Sequence, residues 1–297
     1  TGFPAALVPR CYGGLELDLD ALLEGGLALG RADASLAWVA TFYCEHNWLF
    51  AQFPEAFQRE LFTGRSHVLA PAALAGEATV ARAPGGHRLT GRWRWASGAM
   101  HASWVMVGAV PAGEEVPSFF ALPVGDVEIA DVWHVDGTCG PVVLMAVAAT
   151  PIVGQARSVL ERFRDKTTAK TRMGATQLQG AKASVQHRLA AADAAVREAE
   201  RGLREVVADA MRRRAGAALL DRGRWALDLT RAVHGARGAI QLLLDASGGS
   251  AHFRDDPQQR ALRDANVCSS HVAFDWDARH EMFGSLCLGL PPTSLLV

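Results

Sequence analysis

The segment 263–275, RDANVCSSHVAFD, gathers several chemistry-bearing side chains in one short stretch. Arg263 and Asp264 stand side by side, His271 follows, and Asp275 lies four residues beyond it. An imidazole titrates near neutrality, so His271 is of a type that can hold, give or take a proton under ordinary conditions. On a continuous helix Asp275 falls one turn further along the same face. There its carboxylate either orients the ring for that work or makes a plain pair with it. The Arg263–Asp264 pair reads as a local ion pair.

A second group occupies 93–104, WRWASGAMHASW. Ser97 and Gly98 stand at a strand end. A glycine there lets backbone approach a planar ring closely, and the serine hydroxyl can bond the ring's polar edge. The alternative is an ordinary turn serine. Trp95 alternates with Trp93, so the pair is either plain core or, for Trp95, a stacking group beside the loop. Lys166, Lys170 and Arg172 in RDKTTAKTR form a cationic cluster that suits phosphate, or equally a solvated loop.

The elements that must position these groups follow from periodicity and punctuation. Residues 12–62 read as helices, with a start signal at Asp33–Ser35 and Pro54 opening PEAFQRELF. Near residue 66 the period falls to two. HRLTGRWRW alternates apolar and polar residues as a half-buried strand does, APGG before it is a hairpin turn, and SWVMVGAV and SFFALPV are further strands. From about residue 150 the chain is helical again. An apolar stripe from Leu178 to Ala210 predicts one long helix, and a stripe from Trp225 to Ile240 predicts another that SGGS ends. Residues 264–285 are expected as a last helix. The fold class is therefore α+β: an N-terminal helical lobe (1–65), a middle antiparallel β lobe (66–145) and a C-terminal four-helix bundle (146–297).

Composition narrows the classes of function. The chain has 297 residues, 49% of them hydrophobic, and a formal net charge of −1, which gives no electrostatic case for nucleic acid or an anionic membrane as partner. The five cysteines are an odd number without metal-ligand spacing, and read as reduced thiols of a cytoplasmic protein. No apolar run predicts a membrane span, and no leader is evident, although the chain opens at Thr1 and its true N-terminus is expected to be missing. There is no G-x-G-x-x-G after a strand, no P-loop, no G-x-S-x-G and no His/Cys metal set.

Four segments in order resemble the acyl-CoA dehydrogenase fold and, within it, the two-component, reduced-flavin-dependent monooxygenases. They are LVPRCYGGLELDL (7–19), WRWASGAMHASW (93–104), GGSAHFRDDPQQRALRDAN (248–266) and HVAFD (271–275). The resemblance implies reduced FAD or FMN held near Trp95, Ser97, Gly98, Thr138, Gly248, Gly249 and Arg260. It also implies catalytic parts for His271, Asp275, Ser97 and His46, the last either placed over the flavin or simply packed on a helix face. Oxygen would add to the flavin as a hydroperoxide and pass to a small, aromatic or polyketide-like molecule. An NAD(P)H-dependent reductase would supply the flavin, and long apolar bundle faces suggest a homotetramer. The family's Gly-x-Arg-Gly-Thr-x-Ser turn is represented by WHVDGTCGPVVL, without its arginine and serine, and a strand and loop that the family places before the bundle are expected to be absent. An acyl-CoA dehydrogenase or oxidase would instead need a carboxylate where His271 stands; a non-catalytic binding subunit is the third reading.

Overall fold

The computed structural model describes residues 2–73, 76–84, 86–114, 116–130, 142–169, 171, 178–213 and 216–293, with 142–144 described by backbone only. The chain divides into two compact units: Thr1–Asp18 with Val39–Gly140, and Leu19–Trp38 with Pro141–Val297. The first helical stretch is thus shared between the two units. Helix α1 (Leu19–Ala32) and the start of α2 (Ala34–Phe50) belong with the C-terminal helices, and the rest of α2 belongs with the sheets.

In the first unit, α2 continues to Phe50 and is followed by α3 (Glu55–Phe62), which starts after Pro54. The strands are β1 (Ala72–Ala73), β2 (Gly76–Ala83), β3 (Gly86–Trp93), β4 (Trp104–Ala109) and β5 (Ser118–Pro123). They form two sheets rather than one antiparallel lobe. β2 and β3 make a hairpin that closes at Ala83↔Gly86, while β1, β4 and β5 make a mixed sheet in which β1 runs parallel to β4. The hairpin is less buried than its alternation predicted. Of β3 only Leu89 and Trp93 are partly covered, because within the chain only one face of a two-stranded ribbon meets a neighbour. Val8, Phe50, Leu61, Phe62, Val68 and Met106 form the core of this unit.

The second unit holds α1, the start of α2, α4 (Val142–Ala169), α5 (Ala183–Arg213), α6 (Leu219–Ser247), α7 (Pro257–Ser269) and α8 (Trp276–Cys287). α1 joins α4 through glycine. A methyl group on Gly30 would stand 2.5 Å from the Pro151 carbonyl oxygen, and one on Gly154 would stand 2.4 Å from that of Leu27. Pro151 inside α4 lacks the N–H that would reach Val147; the Thr150 hydroxyl donates to that carbonyl instead, at 2.9 Å. α5 starts later than its stripe predicted, since Leu178 is exposed and Gln179–Ala181 is a separate 3₁₀ turn. The expected last helix is broken in two. α7 stops at Ser269, a 3₁₀ turn covers Val272–Phe274, and α8 begins at Trp276. Among the described residues, no helix is long and apolar enough to cross a membrane.

Candidate active site

In the first unit the C-terminal half of α2 ties down two stretches of backbone, at 68–70 and at 98. The Tyr43 hydroxyl donates to the Gly98 carbonyl at 2.6 Å. The His46 ring bonds the Ala70 carbonyl through Nδ1 at 2.7 Å. Asn47 donates to the carbonyls of Tyr43 and Val68 and accepts from the Val68 N–H. A carbonyl can only accept, so His46 carries its proton on Nδ1 and leaves a lone pair on Nε2. Burial lowers its pKa to about 4, so the ring is neutral near pH 7.

The loop held by Tyr43 carries Trp95, Ser97 and Gly98. The Ala99 N–H bonds the Ala96 carbonyl, making a turn with Ser97 and Gly98 at its centre. Gly98 has φ 85° and ψ 6°, the left-handed geometry that the third place of a type II turn requires. A methyl group added there would also stand 2.4 Å from the Tyr43 hydroxyl oxygen, so glycine is needed on two grounds. Trp95 has φ 69°, a left-handed conformation that a bulky residue adopts only under constraint, and it is 48% exposed. The loop therefore presents a half-open aromatic face and a close-lying turn, which fits a planar ligand.

In the second unit the break between α7 and α8 is built around His271. The residue is 5% exposed and caps the 3₁₀ turn, its Nδ1 accepting from the Ala273 N–H at 3.0 Å. An accepting Nδ1 has no proton, so the neutral ring carries it on Nε2. That buried Nε2–H has no hydrogen-bond partner among the described residues. Burial, and then the charge of Arg279, lower the His271 pKa to about 3. The rings of Trp38 and Phe274 flank it, with centroids at 6.0 and 5.9 Å.

The structure does not join Asp275 to His271 by a hydrogen bond. Once the helix breaks, the four-residue spacing no longer stacks the two side chains. Asp275 is exposed and caps α8, its Oδ1 accepting from the Ala278 N–H at 2.8 Å. Gly248 ends α6 with φ 80° and ψ 179°, and Gly249 opens a 3₁₀ turn, both in the second unit. Arg260 on α7 bonds Asp33 at 2.8 Å and lies 3.9 Å from Asp264, its side chain half exposed. Lys166 pairs with Asp256. Thr138, Lys170 and Arg172 lie outside the described residues. Sequence reasoning missed Tyr43, Trp38 and Arg279. The only signal was for Trp38, a spacing of four along α2 that aligns it with Phe42 and His46.

Residues 146–276 match the family described as "Acyl-CoA dehydrogenase, C-terminal domain". The oxygenase component of an FADH(2)-dependent resorcinol hydroxylase from Rhizobium sp. (strain MTP-10005) is 30% identical, over 98% of this chain and 86% of that protein. That alignment runs over 354 positions, so the relative carries residues with no counterpart in this 297-residue chain. The crystal structure of the HsaA monooxygenase from M. tuberculosis superposes with a TM-score of 0.89 at 25% identity, covering 100% of this chain and 89% of that one. XiaF from Streptomyces sp., solved with FADH2 and glycerol, shares the fold with a TM-score of 0.89 at 23% identity, covering 99% and 87%. Identity of this extent along almost the whole chain decides the matter: the chain belongs to the family of oxygenase components of two-component flavin-dependent monooxygenases, built on the acyl-CoA dehydrogenase fold.

Proposed function

We propose that this protein hydroxylates a small aromatic substrate, with oxygen activated on reduced FAD or FMN that a separate NAD(P)H-dependent reductase supplies. The observation that carries this reading is the His271 Nε2–H: a buried donor with no partner in the chain, on a ring held neutral. Leaving such a group unsatisfied costs about 1–3 kcal/mol, and the expense is justified where a ligand accepts the bond. A neutral imidazole with Nδ1 occupied is a poor base and a good donor. His271 therefore holds a proton at Nε2 toward an oxygen of the bound reactants.

In the first unit Trp95, Ser97 and Gly98 are the residues that would hold the planar part of a flavin; in the second unit Gly248, Gly249 and Arg260 are residues that would hold the ribityl or phosphate region of one. Arg260 would reach a phosphate only by exchanging Asp33 for it, since the two are paired at 2.8 Å. The flavin supplies the electrons and the site of oxygen activation. The second unit supplies the donor itself, with Trp38 and Phe274 around the His271 ring; the first unit, by itself, carries an acceptor at His46 Nε2. The curated relative acts on resorcinol. A phenol of that kind offers a hydroxyl for such polar groups and a flat ring for aromatic walls. We place the working protein in a homotetramer in the cytoplasm, following the family resemblance and the reduced thiols.

The test mixes the protein and reduced flavin with oxygen in a stopped-flow instrument, with and without resorcinol-type phenols. A transient absorbing species, distinct from reduced and oxidised flavin and followed by hydroxylated product, supports the proposal. Immediate reoxidation with only hydrogen peroxide formed refutes it.

A further inference from the structure

We propose that Arg279 is a positioning residue for His271: its guanidinium holds the turn 272–274 so that the Ala273 N–H occupies Nδ1 and the ring presents Nε2–H. This rests on the role assigned to His271 above. The three carbonyls of that turn are all taken by side chains. Arg279 Nε donates to the Ala273 carbonyl at 2.8 Å and a terminal nitrogen donates to that of Val272 at 3.4 Å. The ring of His234 on α6 bonds the Phe274 carbonyl through Nε2 at 2.9 Å. Ala273 is thus gripped at its carbonyl while its N–H bonds Nδ1 of His271. Peptide planes are rigid, and the Val272 carbonyl held by Arg279 shares its plane with the Ala273 N–H, so fixing that carbonyl restricts where the N–H points.

Arg279 is 3% exposed, and its charge is positioned by the same helix. Burial lowers its pKa and Asp275, at the start of α8, raises it. Among the described residues, Arg279 on α8 is the charged group whose field lowers the pKa of the ring. α2 presents Trp38 there, and α6 presents His234, already engaged at Phe274. A fixed cation beside an imidazole disfavours a second proton on it. Geometry and charge therefore select the same species, the neutral ring protonated at Nε2.

The experiment is a histidine NMR titration of the full chain with ring-labelled histidine, His271 being assigned by its loss in His271→Gln. Wild-type protein should show a single Nε2–H tautomer and no protonation down to about pH 5.5. In Arg279→Met both tautomers should appear, and the midpoint should rise by roughly one pH unit or more. Identical His271 signals in wild type and Arg279→Met would overturn the proposal. If Arg279→Met fails to fold, Arg279→Lys keeps the charge and loses the fork: a mixed tautomer with a midpoint still depressed supports the clamp, and an unchanged single tautomer overturns it. Because these signals are read without flavin, a protein that shows the shift yet hydroxylates nothing retains the clamp and loses only the proposed oxygenase activity.

Discussion

Two buried histidines, one in each unit, are bonded to backbone in opposite senses. His46 gives its Nδ1 proton to the Ala70 carbonyl and keeps a lone pair on Nε2. His271 accepts from the Ala273 N–H at Nδ1 and keeps a proton on Nε2. Burial is the main cause of both low pKa values, so both rings are neutral and neither charge state tells them apart. What differs is the backbone partner: a carbonyl makes one ring an acceptor at its far nitrogen, and an amide makes the other a donor. The same side chain, equally buried, can thus do two different jobs according to which end of a peptide meets it.

Replacing the donor should have the largest effect. In His271→Ala, product formation should fall by about 10²-fold or more, the scale of a lost positioned proton donor, while reduced-flavin binding stays close to wild type. Single-turnover assays beside a flavin titration read both quantities; unchanged turnover would remove the donor from the chemistry. His271→Asn, which can still present an N–H, should recover part of the loss.

The pH profile of stability comes next. Both histidines have folded pKa values below the unfolded value of about 6.5, so the unfolded chain binds more protons in between. Their contribution is complete above about pH 6.5 and is lost as pH falls, by about 1.4 kcal/mol per pH unit for each ring. Glu45 works the other way. Burial raises its pKa to about 8, so its contribution is present below its unfolded value and lost as pH rises through that range. Denaturant midpoints should therefore peak near pH 6.5. His46→Gln should flatten the acid limb and Glu45→Gln the alkaline one. A profile flat from pH 5 to 8 would contradict the burial of all three.

Smaller effects separate the loop at 95–98 from the helix break. Gly98→Ala should cost about 1–3 kcal/mol, from left-handed strain together with the contact at Tyr43. Tyr43→Phe alone should cost about 1 kcal/mol, and in the double variant the two losses should not add, because both changes act on one contact. Additive losses in a double-mutant cycle would show that the hydroxyl does not hold the turn. The least effect is expected at Asp275. Asp275→Ala should lose about 1 kcal/mol as an N-cap, with hydroxylation within a factor of about three of wild type. A collapse of turnover without loss of stability would restore the carboxylate as the group that orients His271.

Much of the fold was legible because local rules and packing agreed. Asp33 before α2, Pro54 before α3 and Gly248 after α6 are terminal signals whose physics is complete within a few residues. The helix break at 270–275 was not legible, because nothing in SSHVAFD forbids helix. The turn forms because His271 and Asp275 use their side chains as caps, a competition between local and helical hydrogen bonds that composition leaves open. The mixed sheet was missed for a similar reason. A strand as short as Ala72–Ala73 has no period to read, and its parallel pairing with β4 is set by contacts distant in sequence.

By itself the sequence determined that helices would flank a β region, and that a histidine and a serine–glycine turn would stand in the chain as groups able to do chemistry. Residue type and order are enough for that, since periodicity and side-chain chemistry are properties of the linear chain. Only the tertiary structure decided which nitrogen of each imidazole bears the proton. That depends on a carbonyl brought from elsewhere in the fold for His46, on the turn that the broken helix forms at Ala273 for His271, and on burial deep enough to keep each ring uncharged.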